Sequence, residues 1–171
     1  MRLFYLLSTY FLNISPTDCC DWTRYDELST EILLGNYNMD GGAFIVAPIF
    51  PIIVAFAKIV SYENSILIVQ LFQILISTLS IFFLMKLSDL IFENKSISII
   101  LGLIFSFYPF TFWFVIYMGQ ETIFQSLLII SFYYLLKFNK YEKIKDLIFF
   151  SIIFSITIHT KSHVVLFIPF I

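Results

Sequence analysis

Charge is scarce in this sequence, and long stretches contain none. Only 13% of the 171 residues are charged, whereas 60% are hydrophobic and the mean hydropathy is +0.92. A soluble domain carries about 25% charged residues. No charged side chain occurs in residues 66–85 or 96–120, and each run is long enough for a helix that crosses ~30 Å of hydrocarbon. The shortage of charge excludes a water-soluble globular domain and predicts an all-α integral membrane protein.

Cysteine is also scarce, and no basic patch is interleaved with aromatic residues. The two cysteines, Cys19 and Cys20, are adjacent, so they exclude a disulfide framework and leave no second pair for a metal site. Without a basic patch, the chain has no support for nucleic-acid binding. No internal repeat is evident either. What the sequence does contain is apolar and aromatic, with 22 Phe and 10 Tyr residues, which is typical of lipid-facing helices.

The apolar segments predict a polytopic bundle of about five transmembrane helices. They cover residues 1–14, 65–87, 96–118, 122–138 and 147–171. The first has the length of a signal-peptide core, but no small-x-small cleavage site follows it, so we interpret it as a first helix whose true start is missing. The last stays apolar to the final residue. We therefore expect a single module that forms the N-terminal portion of a longer protein and is inactive alone.

The polar part of the chain lies between the first two apolar segments. Residues 15–42 hold half of the acidic side chains. Within them, residues 21–34 predict an amphipathic helix that ends at Gly35 and carries Leu28, Ile32 and Leu33 on one face.

Lysine placement predicts which way the helices run. Most of the basic residues flank two loops: Lys86, Lys95, Lys137, Lys140, Lys143 and Lys145. The positive-inside rule puts these loops in the cytoplasm. For these loops to face the cytoplasm, residues 43–60 must lie along the outer interface or re-enter the membrane. Pro48 and Pro51 interrupt a clean span in this segment. Residues 15–64 and Glu121 then face the outside of a bacterial plasma (inner) membrane.

This topology gathers charges that suit chemistry on a phospholipid. Lys161 is a single basic residue in an otherwise uncharged helix, and such a residue is a functional-site candidate by default. A carboxylate such as Asp21 can take a proton from an acceptor hydroxyl. Arg24, three residues after Asp21 and on the same side of a helix, can neutralise a phosphate together with Lys161.

Several short motifs, in order, resemble those of GT-C glycosyltransferases. They are Asp21-Trp-Thr-Arg24-Tyr25-Asp-Glu27-Leu28, Gly35, Ala47-Pro48-Ile-Phe-Pro51, Tyr108-Pro109, Gln120-Glu121-Thr122 and Thr160-Lys161 ahead of residues 166–169. The similarity is greatest to bacterial lipid A aminoarabinose transferases and protein mannosyltransferase-like enzymes, and it covers nearly the whole chain. It implies transfer of a sugar from a dolichyl- or undecaprenyl-phosphate donor to a lipid, glycan or protein acceptor of the cell envelope, with inversion at the sugar.

The resemblance also implies roles for individual residues. Asp21 matches the loop aspartate that serves as catalytic base or as ligand of a divalent metal ion. Arg24 and Lys161 match the groups that contact the lipid phosphate. Glu121 matches an acidic position at the start of a helix, where the helix dipole favours a negative charge. Tyr25, Glu27, Pro48 and Pro51 support the motifs.

The sequence departs from the aminoarabinose transferases just before the proline motif. Where those enzymes place a Glu-Lys pair, this chain has Ile45-Val46-Ala47, so a more generic sugar transferase fits better. The alternatives are a fragment of a transporter or lipid-linked glycan flippase, which should show inverted repeats and broken spans, and an inactive membrane fragment.

Overall fold

The computed structural model describes residues 2–12, 21–36, 47–116 and 118–161, together with His163 and Leu166. Cys19 and Cys20 lie outside these residues. The described part of the chain contains eight helices and no strand, which confirms the predicted all-α fold. The helices are α1 (Arg2–Phe11), α2 (Trp22–Leu33), α3 (Ile49–Val60), α4 (Ser65–Phe92), α5 (Lys95–Phe107), α6 (Pro109–Ile116), α7 (Glu121–Tyr141) and α8 (Ile144–Thr160).

Helix α4 is the clearest membrane-spanning element. It is 28 residues long, with a mean hydropathy of 2.3 over its most apolar window, and this combination is what a span of the hydrocarbon core requires. Within the described residues, α5 and α6 together form the other candidate, a span bent by 58°. The fold is that of an all-α membrane protein, and the count of five spans stays a prediction.

The bend between α5 and α6 falls at Tyr108-Pro109, where the sequence predicted one continuous segment over residues 96–118. Tyr108 has an extended backbone, with φ −68° and ψ 118°. A proline ring disfavours the helical conformation in the residue before it. Because Pro109 is the first residue of α6, its missing N–H costs that helix nothing.

Helix α2 forms where the sequence predicted it, and its buried face matches the predicted one only in part. Gly35 ends the helix region with φ +78°, a left-handed conformation that glycine adopts without strain. The buried side chains are Trp22, Tyr25, Leu28 and Ser29, whereas Leu33 is 40% exposed. Of the expected face, Leu28 is buried and Ile32 is half-buried, whereas Leu33 is exposed. The buried face is rotated toward Trp22 and Tyr25, because α2 packs against α3 through its aromatic residues.

Helix α3 begins at the proline motif. Pro48 immediately precedes it and Pro51 lies in its first turn, where a helix tolerates proline because the first N–H groups have no intrahelical acceptor. The helix that follows has 12 residues, fewer than a full span needs, so the prolines leave no clean span over the described part of this segment, and its place along the outer interface stays a prediction. A cluster of buried apolar side chains from α2, α3, α4 and α7, with Met118, forms the core beneath it.

Candidate active site

A small cavity of about 70 Å³ lies where the start of α2 meets α6 and the turn that leads into α7. Three segments that are far apart in the sequence contribute its lining. The lining residues are Asp21, Tyr25, Trp113, Phe114, Met118, Gly119 and Glu121. The structure therefore brings Asp21 and Glu121, both identified from the sequence, to one cavity.

Asp21 directly precedes α2, and its side chain is not used to cap the helix. Its backbone carbonyl accepts the Tyr25 N–H at 3.0 Å, but its carboxylate makes no cap hydrogen bond. An aspartate at this position usually accepts backbone N–H groups of the first turn. The Asp21 carboxylate is instead exposed and available to a group that enters the cavity.

Tyr25 is the buried wall of the cavity between the two carboxylates. It is only 4% exposed, and its ring packs edge-on against Phe50 with 4.8 Å between centroids. Burial, followed by the negative charges of Asp21 and Glu121, raises the pKa of the Tyr25 phenol above its usual value. The phenol, which is protonated at neutral pH even at its ordinary pKa, can donate a hydrogen bond.

Glu121 is the first residue of α7, where the helix dipole stabilises a negative charge. Its Oε1 lies 3.2 Å from Nζ of Lys161, the residue that follows α8. The Lys161 ammonium also lies 5.8 Å from the centroid of the Phe124 ring. Both members of the pair are about one-third exposed, so the structure places a cation beside the cavity, within reach of a negatively charged ligand.

Gly119 allows the Glu121 carboxylate to fold back over the turn. A Cβ atom at position 119 would overlap Oε2 of Glu121. The turn itself contains Met118 with φ +55°, in the left-handed region that non-glycine residues seldom adopt. The turn is thus shaped around the position of this carboxylate.

Two buried glutamines of α4 hold the same turn, and sequence reasoning missed them. Gln73 Nε2 donates to the Gly119 carbonyl at 2.7 Å, and Gln70 Nε2 donates to the Ile116 carbonyl at 3.1 Å. Both side chains are almost fully buried. The available signal was a pair of amides spaced i, i+3 on one face of an otherwise apolar run.

The other sequence-predicted residues lie outside the cavity lining. Arg24 is half-exposed and pairs with Glu27 at 3.7 Å across one turn of α2. Pro48 and Pro51 start α3, where Pro51 is buried in the packing of that helix. Phosphate contact by Arg24 stays a prediction.

A metal role for Asp21 also stays a prediction. Across the described ranges, no group of three or more His, Cys, Asp or Glu side chains could hold a metal ion. Hard divalent cations take about six oxygen ligands, whereas this cavity offers two carboxylates, one of them already paired with Lys161. The carboxylates that the structure describes at this cavity do not by themselves make up a metal site, and no step below involves one.

Comparison with known proteins identifies the family. No curated protein and no solved structure matches the chain. A family model described as dolichyl-phosphate-mannose-protein mannosyltransferase matches residues 46–171, so Glu121 and Lys161 lie within the match and Asp21 lies before it. Because the match covers well over half of the sequence, the chain belongs to the dolichyl-phosphate-mannose-protein mannosyltransferase family, a group of membrane glycosyltransferases of the GT-C type.

Proposed function

We propose that this chain transfers a sugar from a polyprenyl-phosphate donor to an acceptor hydroxyl, and that the cavity between Asp21 and Glu121 is the reaction site. The observation that carries the proposal is the meeting of two carboxylates and a buried phenol at one cavity, with Lys161 paired to one carboxylate. The family match supports a transferase over the flippase alternative.

In the proposed reaction, the acceptor oxygen attacks the anomeric carbon from the face opposite the leaving phosphate. The new carbon–oxygen bond forms as the bond to the phosphate oxygen breaks, and the bonding electrons leave with the lipid phosphate. Asp21 takes the hydroxyl proton, because its carboxylate is exposed to the cavity and unused by the helix. The sugar is thereby transferred with inversion.

Two cations are proposed to stabilise the leaving phosphate. Lys161 is held beside the cavity by Glu121 and can share its donors with a phosphate oxygen. Arg24 is one turn from Asp21, and its exposed ion pair with Glu27 is weak enough to exchange for a phosphate. Charge that is positioned before the reaction is the commonest large contribution to such catalysis.

An apolar groove beside the cavity suits the prenyl chain of the donor. The groove has a volume of about 380 Å³ and is lined by Tyr5, Pro109, Phe110, Trp113 and Phe114. Trp113 and Phe114 also line the polar cavity. A donor with a charged head and an apolar tail therefore finds both environments side by side.

The external face is supported by the two ends of α7. Glu121 begins this helix at the cavity, while Lys137 and Lys140 lie near its other end, about 30 Å away for 21 residues. If the lysine-rich end faces the cytoplasm, as the positive-inside rule requires, the cavity opens at the periplasmic side of a bacterial inner membrane.

The test is sugar transfer by Asp21→Asn in the full-length protein. Membranes that contain the protein are supplied with undecaprenyl-phosphate mannose carrying a tritiated sugar, and label leaving the donor is measured. We expect a loss of about 100-fold or more, the usual contribution of a general base. Glu63→Gln, at an exposed acidic residue between α3 and α4, is the matched control and should retain full activity. Wild-type transfer by Asp21→Asn at equal expression would contradict the proposal.

A further inference from the structure

A second polar cavity lies at the opposite end of the helices from the candidate active site. It has a volume of about 410 Å³ and is bounded by the last turns of α4 and α7 and the start of the α7–α8 connection. Its lining consists of Lys86, Asp89, Leu90, Tyr133, Lys137, Tyr141 and Lys143. We refer to it as the lysine cavity. Three ammonium groups and two phenols face one carboxylate, so the lining favours an anion.

Two of the three lysines are not committed to a carboxylate. Lys137 pairs with the buried Asp146 of α8 at 3.0 Å and is needed to neutralise it. In the part of the chain that the structure describes, Lys86 and Lys143 form no ion pair; their ammonium groups lie over the Phe82 and Tyr141 rings, 4.8 and 5.9 Å from the centroids. These two cations remain available to a ligand.

The single carboxylate in the lining is already engaged. Oδ1 of Asp89 accepts a hydrogen bond from the Ser98 hydroxyl of α5. On the same end of the bundle, Glu93 accepts from Lys140, which ties the α4–α5 turn to the end of α7. The walls of the lysine cavity are therefore connected to one another, and within the described residues Asp89 forms no ion pair with Lys86.

Apolar surface borders the cavity. Phe82, which lies under the Lys86 ammonium, is 51% exposed, and Ile144, next to Lys143 in the chain, is 67% exposed. A soluble anion would use the lysines alone. An anionic phospholipid would place its phosphate between the lysines and its acyl chains along this apolar surface, and basic pockets between helices at the cytoplasmic side are known to hold such head groups.

We propose that the lysine cavity binds the head group of an anionic phospholipid, on the side of the membrane opposite the reaction site. The phosphate accepts from Lys86 and Lys143, and the Tyr133 and Tyr141 hydroxyls add neutral donors. This lipid would hold the ends of α4, α7 and the α7–α8 connection together. The proposal goes beyond the proposed transfer reaction and does not depend on it.

The test measures lipid binding, so its outcome is independent of sugar transfer. The full-length protein in a neutral detergent is titrated with phosphatidylglycerol, and bound lipid is counted by native mass spectrometry. Lys86→Gln and Lys143→Gln should each weaken binding about fivefold, because one lysine near an anionic surface contributes that much. The double variant should weaken it about 25-fold if the two contributions add, and Lys86→Arg should bind like wild type.

The controls remove the same charge at the same end of the protein. Lys95→Gln and Lys145→Gln lie outside the cavity lining and should leave binding unchanged. Equal losses in these variants would show a diffuse surface effect and overturn the proposal, as would equally tight binding of phosphatidylcholine. Binding of inorganic phosphate as tightly as phosphatidylglycerol would overturn it in favour of a soluble anion. Circular dichroism and thermal unfolding confirm that each variant is folded.

Discussion

The ion pair between Lys58 and Asp26 predicts an unusual asymmetry between two mutations. The Lys58 side chain is 3% exposed, and its Nζ contacts the Asp26 carboxylate at 2.7 Å, the Asp26 carbonyl at 3.0 Å and the Thr30 hydroxyl at 2.9 Å. The Asp26 side chain is 43% exposed. These contacts fix α2, and with it Asp21, to α3. The two charges thus lie in different environments: the Lys58 ammonium is buried, and the Asp26 carboxylate is partly exposed to solvent.

The loss of stability expected for each mutation depends on which charged group it leaves without a partner. Asp26→Ala leaves an ammonium group that is buried with only two neutral acceptors, and removing one partner of a buried pair costs about 3 kcal/mol. Lys58→Met leaves a carboxylate that can be hydrated, while methionine fills the space of the lysine stem. Its cost should be about 1 kcal/mol, the net value of an ordinary hydrogen bond. Asp26→Asn keeps an acceptor oxygen and should lie between the two.

The assay is equilibrium unfolding of the purified protein in mixed micelles, with α-helical circular dichroism as the signal. We expect Asp26→Ala to lower the free energy of unfolding by about 2 kcal/mol more than Lys58→Met does. Glu63→Ala, at an exposed carboxylate without a partner in the described structure, controls for loss of a negative charge and should cost close to nothing. Equal losses, or a larger loss for Lys58→Met, would refute the argument from burial.

Three further predictions concern the cavity. Gly119→Ala should leave stability nearly unchanged, because only the flexible end of the Glu121 side chain must move. It should nevertheless lower sugar transfer, because the Glu121 carboxylate is displaced. Unfolding and sugar transfer measured on one preparation check the two expectations. Gln73→Leu should destabilise by about 1–3 kcal/mol in the same unfolding assay, because the Gly119 carbonyl loses its donor. Lys161→Gln should lower kcat/KM for the polyprenyl-phosphate sugar, because the leaving phosphate loses a cation, with little effect on unfolding, because its pair with Glu121 is partly exposed and weak. An unchanged kcat/KM would argue against phosphate contact.

Much of the fold was predictable because local rules control it. Long runs without charge predicted the helices, and Gly35 predicted the end of α2 because the left-handed position there suits glycine. The break at Tyr108-Pro109 was not predicted from the sequence, although a local rule explains it: the residue before a proline avoids the helical conformation. The orientation of the buried face of α2 could not be predicted from the sequence, because it depends on Tyr25 packing against Phe50 of another helix.

Of the candidate site, the sequence singled out Asp21 and Glu121 but not the residues that support them. Charge placement predicted that Asp21 and Glu121 lie on the same side of the membrane, and the structure brings both residues to one cavity. The contacts that position them join residues far apart in the chain: Lys58 with Asp26, and Gln73 with Gly119. Spacing along a sequence does not encode such pairs, because tertiary packing decides which helix faces which.

The central claim is that Asp21 and Glu121 serve one reaction at one cavity. A double-mutant cycle in transfer rate tests it most directly, with Asp21→Asn, Glu121→Gln and the double variant compared at equal expression and saturating donor. If both carboxylates act in the same step, their effects are strongly non-additive, and the double variant is little slower than the slower single variant. Two losses that multiply in full, or a single variant with wild-type transfer, would contradict the account.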